Sequence, residues 1–375
     1  MKQIITSLFS LFILITLSQC SSKEEHISNT LEFNSIKLNV KEIGLVKLQK
    51  PPVSGYLNPT ISRIDELQNM MILYDRSTKT IMRYDLQGNF INTIGNQGEA
   101  PFEYYQVDDM HLAGNGEIYS FSIEGMKFNV FKPDGRSAGY HKLNYYGLDF
   151  ELRNQHIVLN TGYNFSEQSG KNTLLLLDTQ FQISSRHIPI DEVPSAVNDF
   201  SGFFLHDQKN ALFYFSHGMS DSINVFDKTL NRLSTIKIEE VENKWPHGFD
   251  YYKIFEDPKA IEYSFIASQS KIVNDLAFIS TINKRLMELH VFDFRKEQRI
   301  NFADDMITFI WNYLIPTHSE QGVFYCLLTD EFLAGMQGVD LDESIDKNKY
   351  PMLYKILDED LLNEGPILYS FQLQE

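Results

Sequence analysis

Residues 81–88, IMRYDLQG, form a short β-rich run that ends in an aromatic residue followed by an acidic turn. The same pattern returns at residues 128–135 as FNVFKPDG. Four further copies follow, LLLLD at 174–178, INVFD at 223–227, LHVFD at 289–293 and YKILD at 354–358. A strand that recurs along a chain indicates a repeat architecture, in which each repeat is one supersecondary unit.

The spacing of these copies predicts the fold. The residues that end the apolar runs stand at positions 84, 131, 177, 226, 292 and 357, at intervals of 47, 46, 49, 66 and 65 residues. The first three intervals are typical of a β-propeller blade, and the last two fit the same unit with an insertion. Further β-rich runs flank each copy. The sequence therefore predicts an all-β, six-bladed β-propeller with four-stranded antiparallel blades. The alternative is an antiparallel sandwich, or two smaller β domains, with accidental spacing.

The amino terminus has the layout of a bacterial signal peptide. One charge, Lys2, precedes an apolar run over residues 4–17. This run is shorter than the roughly 20 residues that a membrane-spanning helix needs, so we expect its removal after export. Residues 17–20, LSQC, resemble the lipobox of bacterial lipoproteins, although Gln19 stands where that family has a small residue. The resemblance implies that Cys20 is acylated, with palmitate among the acyl chains, and becomes the first residue of the mature chain.

A lipid on Cys20 implies the membrane as a partner, because two acyl chains anchor a protein stably. Residues 21–25, SSKEE, resemble the signal that directs Bacteroidetes lipoproteins to the outer face of the outer membrane. The expected organisation is a signal peptide at 1–19, a polar tether at 20–30 and a single propeller at 31–375. The expected location is the outer membrane, with the propeller facing the cell surface or the periplasm. Residues 31–48 alternate like a strand pair and are expected to complete the last blade.

Composition excludes several classes of function. The formal net charge of −17 disfavours nucleic acid as a partner. With Cys20 acylated, Cys326 has no disulfide partner, and we expect it to be a small buried hydrophobe within the run VFYCLL. The ten histidines show no zinc-binding spacing, so no metal is expected. Nucleotide-binding and serine-hydrolase motifs are absent from the sequence, so no cofactor is expected and the question of catalysis stays open.

Residues 94–104, IGNQGEAPFEY, carry the most specific family resemblance. They are similar to the glycine-rich crossing between the first two blades of Bacteroidetes six-bladed β-propeller lipoproteins, which are broadly TolB-like or NHL-like. Ala100 replaces a glycine that is common in that crossing. That family has no agreed catalytic residues, so the resemblance implies a fold and an envelope location without an active site.

Loop lengths predict the binding face. If the strands of a blade are named a to d from the centre outward, the a–b and c–d turns lie on one face of the disc. The b–c and blade-to-blade connections lie on the other. The long connections all belong to the second class, at 96–106, 162–171, 189–200, 239–262 and 330–350. Binding residues concentrate on loops held by a rigid scaffold, so a ligand is expected on this face, around the mouth of the central channel.

Candidate ligand-binding residues come from three places. Tyr104 and Tyr105 lie in the first crossing, and Asp108, beside Asp109, begins an inner strand from which a carboxylate can face the channel. The loop WPHGFDYY offers side chains suited to a sugar ring or a peptide, namely Trp245, His247, Phe249, Tyr251 and Tyr252. The alternatives are that these aromatic residues pack the loops onto the propeller and that the aspartates have a surface or edge-turn role.

Two functions follow from these patterns. The first is a non-catalytic binding or scaffold module of the cell envelope that recognises a glycan, a peptide or an envelope protein. The second is a propeller enzyme of the lactonase, lyase or glycosidase type, which acts on saccharide-like substrates at the central channel. Carboxylates and histidines that converge in the channel favour the enzyme, and a plugged or apolar channel favours the binding module.

Overall fold

The computed structural model describes the chain from Ser28 to Glu375 with gaps. The described residues are 28–29, 33–52, 59–65, 69–153, 156–162, 164, 166–189, 202–205, 212–241, 262–283, 286–303, 314–329, 345–358 and 365–375. Cys20 and the predicted signal peptide lie outside them.

The strands are arranged in six antiparallel blades. Two strands precede the first complete blade, β1 (Ser28–Asn29) and β2 (Asn34–Lys47). Blade 1 contains, from the centre outward, β3 (Pro59–Asp65), β4 (Met70–Asp75), β5 (Thr80–Asp85) and β6 (Phe90–Ile94). Blade 2 contains β7 (Asp109–Leu112), β8 (Ile118–Ser122), β9 (Lys127–Phe131) and β10 (Ser137–Lys142). Blade 3 contains β11 (Asp149–Arg153), β12 (His156–Asn160), β13 (Asn172–Leu177) and β14 (Ile183–Pro189).

Blades 4 to 6 follow the same order with additions. Blade 4 contains β15 (Phe203–Phe204), β16 (Phe213–Ser216), β17 (Ser222–Phe226) and β18 (Arg232–Lys237). Blade 5 has an inner strand in two pieces, β19 (Phe265–Ile266) and β20 (Lys271–Val273), followed by β21 (Leu276–Asn283), β22 (Leu286–Asp293) and β23 (Gln298–Phe302). Blade 6 contains β24 (His318–Glu320), β25 (Val323–Leu328) and β26 (Ile367–Gln374), with helix α1 (Pro351–Asp358) between the last two.

The repeated sequence motif is the third strand of a blade together with its turn. Phe131 and Leu177 end such strands, Tyr84 is the last residue but one of its strand, and all three are fully buried. The apolar clusters lie between neighbouring blades. The aspartate after the strand folds the turn. Oδ1 of Asp227, for example, accepts hydrogen bonds from the backbone N–H groups of Thr229 at 2.8 Å and Asn231 at 2.9 Å. The repeat therefore reflects a buried side chain and a turn that recur in blades 1 to 5.

The sixth copy of the motif was predicted to be a strand, and this prediction is wrong. Residues 354–358 belong to α1 and not to a strand, and the third strand of blade 6 is β26. Leu353 and Ile356, one helical turn apart, are both fully buried. A short apolar run fits a buried helix as well as a buried strand, and Pro351 suits the first helical position.

Strand β2 closes the ring of blades. The sequence predicted a strand pair over residues 31–48, whereas the structure has one strand of 14 residues. Residues 34–38 run parallel to β23 on the outer edge of blade 5, and residues 39–47 run antiparallel to β26 as the fourth strand of blade 6. Before it, β1 pairs with β18 of blade 4, inside the predicted tether of 20–30. The amino-terminal segment thus joins three blades.

Glu42 of β2 connects the closing strand to the insertion of blade 6. Its carboxylate accepts hydrogen bonds from the backbone N–H groups of Met352 at 2.8 Å and Leu353 at 2.7 Å, and from the Tyr369 hydroxyl at 3.0 Å. Burial raises the pKa of Glu42, and these three hydrogen bonds oppose that rise. The carboxylate satisfies N–H groups that the first turn of a helix leaves without partners.

We expect Glu42→Ala to lower the free energy of unfolding by about 2–3 kcal/mol, because it leaves the N–H groups of α1 and the Tyr369 hydroxyl without their acceptor. Urea unfolding followed by circular dichroism measures this loss. The matched control is Lys41→Ala on the same strand, where the side chain is exposed and the change should stay within about 0.5 kcal/mol. Equal stability of the two variants would contradict the assigned cap.

Candidate functional site

Long loops lie on one face of the propeller. The a–b and c–d turns are short, and the longest of them spans residues 205–212. All connections of more than ten residues are b–c or blade-to-blade connections, at 48–58, 95–108, 161–171, 190–202, 238–264, 303–317 and 329–366. Because strands alternate in direction, these connections share one side of the disc. The predicted asymmetry is confirmed, and we call the two sides the long-loop face and the short-turn face.

Five of the predicted ligand-binding residues lie outside the described residues. They are Trp245, His247, Phe249, Tyr251 and Tyr252, which all belong to the connection between blades 4 and 5. Their proposed role stays a prediction.

Tyr104 is part of the core and not of the surface. Its side chain is fully buried, and its ring packs edge-to-face on Phe131 at a centroid distance of 6.0 Å. The Tyr104 hydroxyl oxygen accepts a hydrogen bond from the backbone N–H of Ile81 at 3.1 Å. Burial raises the pKa of Tyr104 to about 12. Tyr104 therefore holds the crossing between blades 1 and 2 onto the propeller.

The crossing loop, residues 95–108, is internally hydrogen-bonded. The backbone N–H of Gly98 donates to the carbonyl of Tyr104 at 3.0 Å, and that of Tyr104 donates to the carbonyl of Asn96 at 3.1 Å. A Cβ atom at Gly98 would lie 2.0 Å from the Glu103 carboxylate, so a larger residue here would displace the Glu103 side chain. The ammonium of Lys127 donates to the carbonyl of Glu103 at 2.5 Å. These hydrogen bonds stabilise the conformation of the crossing loop.

This loop exposes large aromatic residues. Phe102 is 57% exposed and Tyr105 is 40% exposed. Phe102 contacts Tyr140 of β10, itself 39% exposed, edge-to-face at 5.3 Å. The Lys79 ammonium lies 4.4 Å from the centre of the Tyr105 ring. We call Phe102, Tyr105, Tyr140 and Lys79 the aromatic patch. Three residues of chain span at most about 11 Å, so Phe102 and Tyr105 are within reach of one ligand.

Asp108 has the edge-turn role that the sequence analysis held open. Its Oδ1 accepts a hydrogen bond from the Gln106 side chain at 2.7 Å, and its Oδ2 accepts one from the backbone N–H of Ile123 at 2.7 Å. Both contacts are local to the crossing loop and the neighbouring turn of blade 2. Asp108 fastens this corner of the propeller.

The neighbouring Asp109 occupies the inner position and joins three blades. Arg63 of blade 1 forms an ion pair with its Oδ1 at 2.9 Å. The backbone N–H of Phe150 in blade 3 donates to its Oδ2 at 3.0 Å, and the backbone N–H of Met110 donates to Oδ1 at 2.7 Å. The side chain is 8% exposed. With these donors around it, the Asp109 carboxylate is a structural clamp.

Further charged groups surround Asp109 on the inner strands. His111 lies between two carboxylates, with Nε2 3.4 Å from Asp109 Oδ2 and Nδ1 3.9 Å from Glu151 Oε1. Burial, followed by the charge of Asp109, raises the pKa of Asp149 well above its usual range, and Glu151 adds to the effect. We call Arg63, Asp109, His111, Asp149 and Glu151 the axial cluster.

Sequence reasoning missed most of the axial cluster, although a signal was present. Asp109 and His111 stand two residues apart on β7, and Asp149 and Glu151 stand two residues apart on β11. Residues at this spacing share one side of a strand. Charged residues at alternate positions of a predicted inner strand would have indicated the cluster. No group of three or more His, Cys, Asp or Glu side chains among the described residues is arranged to hold a metal ion.

Cys326 lies in blade 6 as a free, buried thiol, as expected. Its Sγ donates to the carbonyl oxygen of Leu314 at 3.3 Å, and burial raises the pKa of the thiol. Cys326 therefore packs in the core, and its raised pKa disfavours the thiolate that a nucleophile needs. Helices long and apolar enough to cross a membrane do not occur in the part of the chain that the structure describes.

Comparison with known proteins agrees with this architecture. The sequence model of the DUF5128 family, described as a 6-bladed beta-propeller, matches residues 53–293, which is more than half of the chain. The chain belongs to this family. The match begins after the closing strand and ends with β22, so it covers the first four blades and most of the fifth. No curated protein matches the sequence.

Two solved structures share the fold of this DUF5128 chain. One is a protein from Bacteroides fragilis that is named as an exported protein, with 13% identity, a TM-score of 0.66 and coverage of 92% of this chain and 98% of that one. The other is a member of the DUF4221 family from Bacteroides vulgatus, with 9% identity, a TM-score of 0.58 and coverage of 91% and 100%. At this level of identity the likeness establishes the propeller fold alone.

We expect Asp109→Asn to lower the free energy of unfolding by about 3 kcal/mol, because it removes the charge of the buried carboxylate that pairs with the Arg63 guanidinium. Thermal unfolding at neutral pH, with the heat capacity taken into account, measures the difference. Asp134→Asn is the control, since Asp134 forms its ion pair with Arg136 at the surface and its loss should change little. A destabilisation no larger than that of the control would exclude the clamp.

Proposed function

We propose that this chain is a cell-envelope lipoprotein, anchored through Cys20, whose propeller binds a ligand without catalysing a reaction. The signal-peptide pattern and the LSQC sequence at 17–20 support export and lipidation. A structural neighbour that is named as an exported protein is consistent with this location. Mass spectrometry of the mature amino terminus tests the lipidation step.

The observation that carries the binding function is the aromatic patch. Hydrogen bonds and the buried Tyr104 already attach the crossing loop to the propeller. The exposed side chains of Phe102 and Tyr105 are therefore not needed for that attachment. A preformed loop loses little conformational entropy when a ligand binds, which favours affinity. Large aromatic groups displayed on a rigid scaffold are typical of recognition surfaces.

A glycan is the ligand class that this patch fits best. Aromatic faces stack on the apolar faces of sugar rings, and Tyr105 and Phe102 can each present a ring to one saccharide unit. Lys79 beside Tyr105 adds a cation, and Lys142, next to Lys127 on the neighbouring strand, is exposed. These cations in a chain of net charge −17 favour an acidic saccharide at this place.

We expect Phe102→Ala and Tyr105→Ala each to weaken glycan binding about tenfold, since the loss of one aromatic contact corresponds to about 1.5 kcal/mol. A glycan array that includes acidic polysaccharides identifies the ligand, and calorimetry measures the affinities. Leu233→Ala is the matched control, because Leu233 is 54% exposed on blade 4, away from the patch. Equal affinities of the patch variants and the control would rule out this site, and binding to peptides alone would rule out the glycan.

A second candidate function is supported by the axial cluster. The carboxylates of Asp109, Asp149 and Glu151 converge with His111 on the inner strands of blades 2 and 3. Asp149, whose pKa is raised by burial, beside the Asp109 carboxylate that pairs with Arg63 resembles the acid and base pair of a hydrolase. The cluster is buried and ion-paired, which limits access of a substrate, so we rank the enzyme below the binding module.

If the chain is an enzyme, the purified protein should turn over nitrophenyl glycosides or lactones. In that case Asp149→Asn should lower kcat by about a hundredfold or more, because it removes the proton that the leaving group needs. Asp108→Asn, which alters only the turn contacts of the neighbouring loop, is the comparison variant. If neither substrate class is turned over, the binding module stands alone.

A further inference from the structure

Strand β2 opens a groove where it passes from blade 5 to blade 6. The inter-blade groove lies on the short-turn face and has a volume of about 1010 Å³. It is bordered by the a–b turns of both blades, the c–d turn of blade 5 and the end of β26. Its floor is apolar and is formed by Ile36, Leu38, Leu276, Ile300, Phe324 and Leu373.

One wall of the groove is an open strand edge. In the parallel ladder with β23, the N–H of Asn34 donates to the carbonyl of Glu297 and the carbonyl of Leu38 accepts from Ala303. Even-numbered residues of this segment therefore point their backbone groups toward β23. The backbone groups of Ser35 and Lys37 point to the opposite side, because direction alternates along a strand.

On the side of β2 that faces away from β23, the hydrogen-bonded ladder with β26 ends before residues 34–37. Pairing between β2 and β26 runs as far as Asn39 and Gln374. Beyond this pair, no described residue forms a strand next to residues 34–37, and Ser35 and Lys37 are exposed. Within the described part of the chain, the N–H and carbonyl groups of Ser35 and Lys37 have no strand partner on this side, and their spacing is one that another strand can match.

The side chains along this edge alternate in a way that suits a bound strand. Ile36 and Leu38 are partly buried toward the groove, whereas Ser35 and Lys37 are exposed. The charged side chains at the rim of the groove pair with one another, Arg295 with Asp275 at 2.9 Å and Lys296 with Asp293 at 3.2 Å. Lys37 has no ion pair within the described part of the chain, so it is the cation that a ligand can neutralise.

We propose that the inter-blade groove binds an extended peptide, which adds a strand to the open edge of β2 antiparallel to it. The ladder of blade 6 then continues past Gln374, with the peptide in line with β26. Apolar side chains at alternate positions of the peptide enter the groove over Ile36 and Leu38, and an acidic residue stands opposite Lys37. A lipid chain or other apolar molecule fills the floor but leaves the edge donors and acceptors unmatched.

This site is independent of the proposed glycan site. The aromatic patch belongs to blades 1 and 2, and the groove belongs to blades 5 and 6. Phe102→Ala should therefore leave peptide binding unchanged, and the edge variants should leave glycan binding unchanged. Failure of one proposal is thereby distinguishable from failure of the other.

The probe is the capped, fluorescein-labelled peptide Thr-Val-Glu-Val-Thr-Val, titrated with the full chain and followed by fluorescence anisotropy. We expect Ser35→Pro and Lys37→Pro each to weaken binding at least tenfold, because each removes an N–H from the open edge. Ser35→Ala retains that N–H and should bind as the wild type does. Lys37→Gln retains the N–H but loses the charge, and should weaken binding only a few-fold.

A second measurement leaves the protein unaltered and so does not depend on the folding of a variant. N-methylation of the peptide at successive positions should abolish binding at every second position and leave it intact at the positions between, because only alternate N–H groups face β2. Equal effects at all positions, or no saturable binding, would overturn the proposal. Concentration-dependent dimerisation that Ser35→Pro removes would also overturn it, because the groove would then hold a second copy of the chain.

Discussion

Hydrogen bonds between β2 and β26 join the two ends of the chain, with Asn39 opposite Gln374 and Lys47 opposite Ile367. Each blade of a propeller buries its apolar faces against two neighbours, so an open ring would expose one face at each end. The described residues of the carboxyl-terminal part supply three strands of blade 6, and β2 is the fourth. The core between blades 5, 6 and 1 therefore depends on the arrival of the amino-terminal strand.

The same closure arranges the functional surfaces. At the axis, the Asp109 clamp ties the inner strands of blades 1 to 3, so the blades are held at the centre as well as at the rim. This leaves the long-loop face free to vary, and the crossing loop there displays Phe102 and Tyr105. On the short-turn face, the passage of β2 between two blades leaves a strand edge and a groove. Both proposed binding sites are consequences of how the ring is built.

Some features of the blades could be predicted from the sequence, and others could not. The aspartate turns and the buried third strands of blades 1 to 5 follow from local chemistry, and they were predicted. The run at 354–358 has the same local pattern, yet it forms a helix because Glu42, distant in sequence, caps that helix and blade 6 buries Leu353. Tyr104 and Tyr105 are adjacent, but only the second is exposed, and the inner carboxylate is Asp109 where the sequence analysis had named Asp108. Adjacent side chains leave the backbone in different directions, and the packing of the crossing loop onto the blades decides which of the two is buried.

The sequence by itself determined the repeated unit of blades 1 to 5, the chemistry of its turns and the side on which the long loops lie, because each of these depends on patterns within one repeat. Only the tertiary structure decided which strand closes the ring, which carboxylate joins three blades and where an edge stays open. Those features require contacts between residues far apart in the chain, such as Arg63 with Asp109 and Glu42 with Met352. The local sequence around a residue does not predict such contacts, because the packing of the blades determines which distant residue lies next to it.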